Sequence, residues 1–471
     1  MKVLLLFPPG ANLVVDYPPL GLGYIASVLE QAGYNVNILD ALLEKKNVTS
    51  TLQEIEPYNP DIIGITVFTP LYLQAKEVIK KTREKFPQII TIAGGPHATV
   101  LPKETLEDMK VDYVVIGEGE VTVLELVRGI EKGQDPGKIK GIAFLDKGEV
   151  RLTPRRDFIS DLDDVPFPAR HLMKIKRYGK GIGAKIVPCT TILTSRGCPF
   201  NCSFCCNASL WHRKYRQRSP QNVVEEMVEV YHRFGIRNIY FPDDLFTANT
   251  IWIREICSEI ASTAINFKWR CLARVDTLDR EILKIMRDSG CYAVEVGVES
   301  GSELILKNMN KNITIPQAIQ TLPWARELDF DTHVFFMLGY IGETEDTIRM
   351  TINLAQKLNP EHVSFSIATP IPGTDFYKEA TEKKLIVDGN WQDYDYNKNA
   401  VSRTETLSSQ DLLRWQDKAY AEFYLRKEYL WQNVIAKIGF YPSDKHSILR
   451  PVRNLKFSVT WLLKGIFHYF R

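Results

Sequence analysis

The chain has 471 residues and a formal net charge of +2, and 45% of its residues are hydrophobic while 25% are charged. Its length exceeds what one hydrophobic core usually supports, so we expect two or three domains of an ordinary globular protein. The near-neutral charge argues against nucleic acid as a partner, and no stretch approaches the roughly 20 apolar residues of a membrane span. The apolar start at 2–7 meets prolines too early for a signal peptide, so we expect a cytoplasmic protein.

Strand and helix patterns alternate through residues 1–135, which we expect to form the first domain. Apolar runs predict strands at 2–7, 35–39, 62–66, 89–93 and 113–116, and amphipathic stretches predict helices at 20–31, 71–85 and 121–131. Apolar strands separated by helices predict an α/β fold with a doubly wound parallel sheet. Ligands of such sheets bind at the carboxyl ends of the strands, where the loops lie.

Glycine and proline are concentrated in the loops that follow these strands. Glycine there lets the backbone approach a bulky ligand closely. The candidate ligand-binding residues of these loops are Gly94, Gly95, His97, Gly117 and Glu118. A plain nucleotide-binding domain is an alternative, although no Gly-x-Gly-x-x-Gly motif follows the first strand.

Residues 136–185 are predicted to be a connector between domains. The segment 139–152 has the pattern of a hairpin that turns at 146–148. The segment 161–168 is predicted to be extended, with its acidic residues in solvent.

The alternation of strands and helices resumes through residues 186–384. Strands are predicted at 190–193, 238–241, 267–272, 293–298, 332–336 and 362–367, and helices at 220–234, 251–261, 280–288, 316–328 and 344–358. Six such units predict a partial (β/α)6 barrel of the TIM type, with its chemistry at the carboxyl ends of the strands.

Three cysteines lie in the loop after the first strand of this barrel. Cys198, Cys202 and Cys205 have the spacing Cys-x3-Cys-x2-Cys, which lets one loop wrap one metal cluster. A [4Fe-4S] cluster usually takes four thiolates, so three ligands leave one iron open to a small molecule. A zinc site with Cys206 or His212 as the fourth ligand is an alternative, and so is a disulfide pair. The other cysteines are scattered among apolar residues and are predicted to be core thiols: Cys189, Cys257, Cys271 and Cys291.

The cysteine spacing resembles that of the radical SAM superfamily, whose open iron binds the amine and the carboxylate of S-adenosylmethionine (SAM). In that superfamily the reduced cluster cleaves SAM to methionine and a 5′-deoxyadenosyl radical, which removes a hydrogen atom from an unactivated carbon. Motifs after the later strands are similar to the family's motifs and follow in the same order. The resemblance implies that Asp243 or Asp244 binds the ammonium group of SAM and that Arg274 binds its carboxylate. It also implies that Glu299 contacts the ribose and that Gly339 contacts the adenine.

Structural roles are open alternatives for several of these residues. Asp243 and Asp244 are candidates for capping the helix that follows them. Arg274 has a potential ion-pair partner in Asp276, and Glu299 is a candidate turn residue.

The loops of the first domain are similar to those of the cobalamin-binding domain that precedes the catalytic domain in one large radical SAM class. The similarity covers residues 2–131 and includes the Gly-Gly-Pro-His and Gly-Glu-Gly-Glu segments. The chain lacks the Asp-x-His-x-x-Gly motif that supplies a histidine to cobalt in many cobalamin proteins. In this class the lower face of cobalt is often without a histidine. His97 is the nearest candidate for a contact with cobalt in this chain. Its alternative role is that of a loop histidine bonded to backbone.

The two resemblances together imply a [4Fe-4S] cluster, SAM and cobalamin as cofactors, with a ferredoxin or flavodoxin as electron donor. The commonest outcome in this class is methylation of an unreactive carbon in a small molecule or a lipid. An oxidative cyclase, similar to the anaerobic magnesium-protoporphyrin monomethyl ester cyclases, is the alternative enzyme. A metal-bearing ligand sensor or scaffold without turnover is the alternative of another class.

The basic segment 212–218 follows the cysteine loop closely. It is a candidate contact for an anionic substrate, a cofactor phosphate or an electron donor. A solvated loop is the alternative.

Residues 385–471 are predicted to be a mainly helical C-terminal region. Trp391, Tyr394 and Tyr396 suggest an irregular cover over the barrel mouth, and 408–411 resembles a capping box that opens a helix to about residue 433. A final amphipathic helix belongs to the stretch 445–471, which holds six Lys or Arg and no Asp or Glu. Such a helix either lies on an anionic membrane surface, which would favour a lipid or isoprenoid substrate, or packs against protein.

Overall fold

The computed structural model describes residues 1–10, 17–179, 188–395 and 399–431 of the chain. These residues form two large sheets covered by helices, together with a two-stranded ribbon. The final amphipathic helix and Tyr396 of the sequence analysis lie outside the described residues. In the part of the chain that is described, no helix has the length and hydropathy of a membrane span.

The first sheet is built mainly from parallel strands. Its strands are β1 (Lys2–Phe7), β2 (Asn35–Asp40), β3 (Ile62–Thr66), β4 (Ile90–Gly94), β5 (Tyr113–Val115), β6 (Ile142–Asp146) and β7 (Glu149–Leu152). They lie in the order β2-β1-β3-β4-β5-β6-β7; the pairs among β1 to β5 are parallel, and β6 and β7 pair antiparallel. The hairpin that we expected inside the connector therefore extends the first sheet.

Helices cover both faces of this sheet. They are α1 (Leu20–Gln31), α2 (Val48–Tyr58), α3 (Tyr72–Lys85), α4 (Pro96–Val100), α5 (Pro102–Met109) and α6 (Gly119–Glu131). Alternate residues of β1 divide between two cores: Val3 and Leu5 pack with α1 and α6, whereas Leu4 and Leu6 pack with α2, α3 and α5. Because successive strand residues point to opposite faces, this two-sided burial confirms the doubly wound arrangement.

The second sheet has six parallel strands among the described residues. The strands of this part are β8 (Cys189–Thr191), β9 (Ser195–Arg196), β10 (Arg216–Gln217), β11 (Asn238–Phe241), β12 (Lys268–Ala273), β13 (Cys291–Glu299), β14 (Asp331–Leu338) and β15 (His362–Ile367). The sheet has the order β8-β11-β12-β13-β14-β15, and β9 and β10 form the separate ribbon. Consecutive parallel strands joined through helices confirm the predicted partial (β/α)6 barrel.

The helices of this part follow the strands in turn. They are α7 (Asn207–Trp211), α8 (Pro220–Phe234), α9 (Thr250–Ser262), α10 (Arg280–Asp288), α11 (Glu303–Asn308), α12 (Ile315–Glu327), α13 (Glu345–Leu358) and α14 (Asp375–Glu382). The ends of α8 illustrate why the bounds fall where they do. Ser219 accepts a hydrogen bond from the N–H of Asn222 at the start, and Gly235 ends the helix at φ +71°.

The C-terminal region contributes α15 (Ser409–Tyr424) and α16 (Lys427–Leu430). The predicted capping box is present: Ser408 and Asp411 each accept a hydrogen bond from the other's backbone N–H, at 3.2 and 3.0 Å. The predicted end of this helix near residue 433 is wrong, because α15 ends at Tyr424.

The segment before α15 contacts the first domain. The indole N–H of Trp391 donates to Glu104 of α5 at 2.9 Å, and its ring lies edge-on to His97 with the centroids 5.4 Å apart. Trp391 and Tyr394 also contact each other, with ring centroids 4.9 Å apart. We expected this segment over the barrel mouth, whereas the structure places Trp391 against α5.

Candidate active site

A cavity of about 540 Å³ lies between the two sheets. The first domain lines it with the loops at the carboxyl ends of its strands, including Gly94, Gly95, Gly117 and Glu118. The barrel lines it with residues that follow its first two strands, including Asp244. The structure thus brings together the loop residues of the first domain and one of the two aspartates predicted for the barrel.

The cysteine loop follows β9 at the barrel mouth. Cys198, Cys202 and Cys205 are half-buried free thiols. Burial raises the pKa of Cys198 and raises that of Cys205 to about 12, so a metal would have to draw the proton from these thiols. In the described part of the chain, no three His, Cys, Asp or Glu side chains are grouped as a site for a single metal ion.

Hydrogen bonds fix both ends of this loop. The N–H of Cys198 donates to the side-chain oxygen of Asn207 at 3.1 Å, and the amide of Asn207 donates to Asp244 at 2.7 Å. Burial raises the pKa of Asp244. The N–H of Ser203 donates to the carbonyl of Met309 at 2.9 Å, so the loop is also tied to the chain after α11.

Asp243 is fully buried and faces the chain that enters the cysteine loop. One carboxylate oxygen accepts hydrogen bonds from the N–H and hydroxyl groups of Thr194 and Ser195. Burial raises its pKa to about 6, against the lowering effect of these bonds. The capping alternative is wrong for both aspartates, because the cap of α9 is Asn249, which accepts from two backbone N–H groups.

Arg274 lies beside the cysteine loop. It donates to both carboxylate oxygens of Asp276 at 2.9 and 2.8 Å, and it lies 3.9 Å from the sulfur of Cys202. Its guanidinium lies 3.6 Å from the ring centroid of Phe200. The ion pair that we considered as an alternative is therefore present, and the same guanidinium still borders the proposed cluster site.

Glu299 ends β13 in a left-handed conformation, with φ +68°. The pairing of β13 with β14 shifts register at this point, between Gly297 and Glu299. The carboxylate is buried and accepts a hydrogen bond from Lys311 at 2.7 Å. Because left-handed backbone is costly for a residue with a side chain, the position of Glu299 depends on this ion pair and on the bulge.

Gly339 forms the turn after β14, with φ +92°. A Cβ at this position would lie 2.7 Å from Leu412 of α15. The lack of a side chain at Gly339 therefore leaves room for α15 to pack against the turn. The N–H groups of Gly339 and Tyr340 donate to the buried carboxylate of Glu343. Burial raises the pKa of Glu343 to about 8.

His97 does not line the cavity in this structure. It is buried beside Tyr72, and its Nδ1 hydrogen-bonds with the Thr69 hydroxyl at 3.1 Å. Burial lowers its pKa to about 4, so the ring is neutral at physiological pH. Among the described residues, the imidazole bonds to a side chain and not to backbone, so the alternative role as a histidine bonded to backbone is wrong.

The inner face of the barrel carries polar side chains. Arg270, Glu295 and His333 alternate with residues packed in the core, so they point to the opposite side, toward the lumen. Arg270 pairs with Glu295, which also accepts from the hydroxyl of Tyr240 at 3.2 Å. His333 hydrogen-bonds with Ser364 at 2.8 Å, and burial lowers its pKa to about 3.

Two ion-paired residues at this site escape the sequence patterns. Arg196 pairs with Glu118, and Lys311 pairs with Glu299. Arg196 lies two residues before the first cysteine of the motif, and this position could have marked it as a candidate site residue.

The residues present fit the three expected cofactors. The cysteine loop supplies three thiols for a cluster. Asp243 Oδ2 and Asn201 Oδ1 are buried oxygens without a hydrogen-bond partner among the described residues, and an ammonium group satisfies such acceptors. Gly117 has φ +83° and open space where a Cβ would lie, so a bulky ring can approach its backbone.

Comparison with known proteins agrees with this architecture. The B12 binding domain family matches residues 8–127, and the Radical SAM superfamily matches residues 192–355. The uncharacterized methyltransferase PH0819 of Pyrococcus horikoshii is 33% identical over 461 residues, which are 97% of this chain and 98% of that protein. The anaerobic magnesium-protoporphyrin IX monomethyl ester cyclase of Cereibacter sphaeroides is 29% identical, over 90% of this chain and 70% of that protein.

The fold is also that of a solved structure. The radical SAM methyltransferase TsrM from Kitasatospora setae, with cobalamin and a [4Fe-4S] cluster bound, superposes with a TM-score of 0.72 and 18% identity, over 98% of this chain and 99% of that one. The fold and the site therefore define a radical SAM protein whose barrel follows a B12-binding domain. The chain belongs to the family of B12-binding radical SAM enzymes that includes the Pyrococcus methyltransferase.

Proposed function

We propose that the protein is a cobalamin-dependent radical SAM methyltransferase acting on an unactivated carbon. The observation that carries this proposal is a cavity of about 540 Å³ that is lined both by the glycine loops of the B12-binding domain and by residues beside the cysteine loop. When bound, a [4Fe-4S] cluster with SAM supplies one-electron cleavage chemistry, and cobalamin supplies a transferable methyl group.

The residues of this chain have distinct parts in the proposal. Cys198, Cys202 and Cys205 would hold the cluster, and Arg274 beside Cys202 would place a positive charge next to it. Asp243 orients the chain that enters the loop through its bonds to Thr194 and Ser195. A ferredoxin or flavodoxin is the proposed class of electron donor.

The polar lumen supports a substrate with hydrogen-bonding groups. Arg270 Nε is buried without a hydrogen-bond partner among the described residues; an acceptor group of a substrate would satisfy it, whereas a hydrocarbon would not. The proposal of a lipid or isoprenoid substrate at a membrane depends on the terminal helix, which lies outside the described residues. We therefore favour a substrate that presents polar groups to the barrel.

A second candidate is an oxidative cyclase. It is supported by the 29% identity to the anaerobic magnesium-protoporphyrin cyclase. A methyltransferase carries the methyl group of SAM into its product, whereas a cyclase releases all SAM as methionine and 5′-deoxyadenosine. Methyl-labelled SAM, incubated with the reduced enzyme and an anaerobic cell extract, separates the two: label in a new product supports methylation.

The test of the whole proposal is anaerobic reconstitution of the full chain. We expect about four iron atoms per chain, binding of hydroxocobalamin, and release of 5′-deoxyadenosine on reduction with SAM. The variant Cys202→Ser should lose the iron and the cleavage. The matched control, Cys206→Ser, removes a neighbouring half-buried thiol outside the motif and should retain both. Zinc in place of iron, with no SAM cleavage, would support the scaffold alternative.

A further inference from the structure

Four charged side chains join the B12-binding domain to the cysteine loop, and we refer to them as the clamp. They are Glu118, Glu120, Arg196 and Arg216. Arg196 donates to Glu118 at 2.6 Å and to Glu120 at 2.5 Å, and Arg216 donates to Glu118 at 3.0 Å. The side chain of Glu118 is 4% exposed and that of Arg196 is 10% exposed, so solvent screens these pairs weakly.

The connector also takes part in the clamp. The N–H of Ile159 donates to Glu118 at 2.9 Å, and Arg216 donates to the carbonyl of Ile159 at 2.6 Å. The guanidinium of Arg216 lies 4.7 Å from the ring centroid of Phe158. Removing Arg196 would leave the buried carboxylate of Glu120 without this ion pair, which is strongly unfavourable, whereas Glu118 would keep Arg216.

The acidic arm of the clamp lies on a loop that borders the cavity. Glu118 stands between Gly117 and Gly119, and this loop lines the cavity where the B12-binding domain faces the barrel. Apart from its own chain neighbours, Gly117 has open space where a Cβ would lie. A ligand that fills the cavity therefore meets both Glu118, in the loop, and the first turn of α6, which carries Glu120.

The basic arm of the clamp adjoins the cysteine motif. Arg196 precedes Cys198 by two residues, and Gly197 between them has φ +90°. A Cβ at Gly197 would lie 2.0 Å from the carbonyl oxygen of Lys214, so the backbone is held closely at this point. Arg196 is therefore joined to Cys198 through one residue, whose backbone packs closely against Lys214.

We propose that Arg196, held by Glu118 and Glu120, is a positioning residue that couples corrinoid binding in the first domain to the arrangement of the cysteine loop. The inference rests on the proposed corrinoid and cluster sites and adds a linkage between them. Such linkage is reciprocal: if the cluster changes the affinity for corrinoid, corrinoid changes the stability of the cluster by the same factor. The assignment also gives the carboxylate of Glu118 a role other than direct contact with a cofactor.

The test measures the affinity of the full chain for hydroxocobalamin by anaerobic equilibrium dialysis, with and without reconstituted [4Fe-4S] cluster. In the wild type we expect the two dissociation constants to differ by at least about fivefold, the lower end of typical couplings. In Arg196→Gln the ratio should fall to near one. Glu120→Gln should lower it as well, and the double variant should show no further loss, because the two side chains act as a pair.

Arg349→Gln is the matched control. It breaks another arginine–glutamate pair, Arg349 with Glu422 at 2.8 Å, between α13 and α15, and it should keep the wild-type ratio. A wild-type ratio near one, an unchanged ratio in Arg196→Gln, or an equal loss in the control would overturn the proposal. If Arg196→Gln shows no cooperative thermal transition, Glu120→Gln decides, since it leaves both arginines in place. Wild-type protein that binds neither iron nor hydroxocobalamin would instead refute the proposed function.

Discussion

Asp243 accepts hydrogen bonds from both the N–H and the hydroxyl of Ser195, the hydroxyl at 2.8 Å, just before the cysteine loop begins. The same oxygen accepts from the N–H of Thr194 at 2.8 Å. The family resemblance implied that an aspartate at this place binds the SAM ammonium, and the structure shows that one oxygen of Asp243 is already used to fix the loop entry. Its other oxygen has no hydrogen-bond partner among the described residues. The same carboxylate can therefore fix the loop entry with one oxygen and accept from an ammonium group with the other.

Replacement of Asp243 by alanine should loosen the entry to the cysteine loop. The N–H groups of Thr194 and Ser195 would lose their acceptor in a buried setting, at a cost of about 1–3 kcal/mol in the free energy of unfolding. We expect a lower thermal midpoint and less iron bound per chain after anaerobic reconstitution. Asp243→Asn keeps an acceptor oxygen and should retain most of the iron. Equal iron in the alanine variant and the wild type would contradict this role.

Replacement of Lys311 by methionine should destabilise the chain strongly. It leaves the carboxylate of Glu299 buried without its partner, and breaking a buried ion pair from one side typically costs about 3–5 kcal/mol. The double variant Glu299→Gln with Lys311→Met removes the stranded charge and should recover part of the loss. Thermal denaturation of the apoprotein measures both. A double variant less stable than Lys311→Met alone would show that the charge of Glu299 is not the cause.

The regular elements of this fold are largely predictable from the sequence. The predicted bounds of α1, α8, α10 and β15 match the structure, as apolar periodicity indicates. At α8 and α10 a capping side chain, Ser219 or Asp279, also marks the start of the helix. The sequence pattern does not predict α2, which contains Pro57 and has few buried apolar residues. The early end of α15 at Tyr424 also goes unpredicted, because the helical pattern continues past it.

The site is predictable only where its residues are close in sequence. The spacing of Cys198, Cys202 and Cys205 predicts a metal-binding loop directly. The pairing of Arg196 with Glu118 joins residues 78 positions apart, and it depends on how the two domains pack. The link from Trp391 to Glu104 spans 287 positions for the same reason. Local patterns carry no information about such contacts.

Gly339→Ala should disturb the packing of α15 against the turn after β14. Both Gly339, at φ +92°, and Gly235, at φ +71°, have left-handed backbones, which cost an alanine about 1–2 kcal/mol. Only at Gly339 would the new Cβ overlap a neighbour, Leu412 at 2.7 Å, whereas nothing lies within 4 Å at Gly235. We expect Gly339→Ala to lower the thermal midpoint further than Gly235→Ala, with an added cost of about 1–3 kcal/mol for the overlap. Equal shifts in the two variants would show that α15 moves aside freely.

Glu343 should make the stability of the apoprotein depend on pH. Burial raises its pKa from 4.5 to about 8 in the folded chain. Between these values the folded state keeps a proton that the unfolded state has released, so this group's contribution to the free energy of unfolding falls as the pH rises. The loss is at most about 1.4 kcal/mol per pH unit and is complete above the folded pKa.

Glu343→Gln cannot ionise, so it should gain stability relative to the wild type as the pH is raised from 5 to about 8. Thermal midpoints of the two apoproteins, compared across this range, measure the gain. Glu345→Gln removes an exposed carboxylate two residues away and controls for the change in net charge. A constant difference between Glu343→Gln and the wild type at every pH would show that the buried carboxyl does not titrate in this window. The N–H of Gly339 donates to Glu343. The turn at Gly339 would then be held by a carboxyl group whose charge does not change over this pH range.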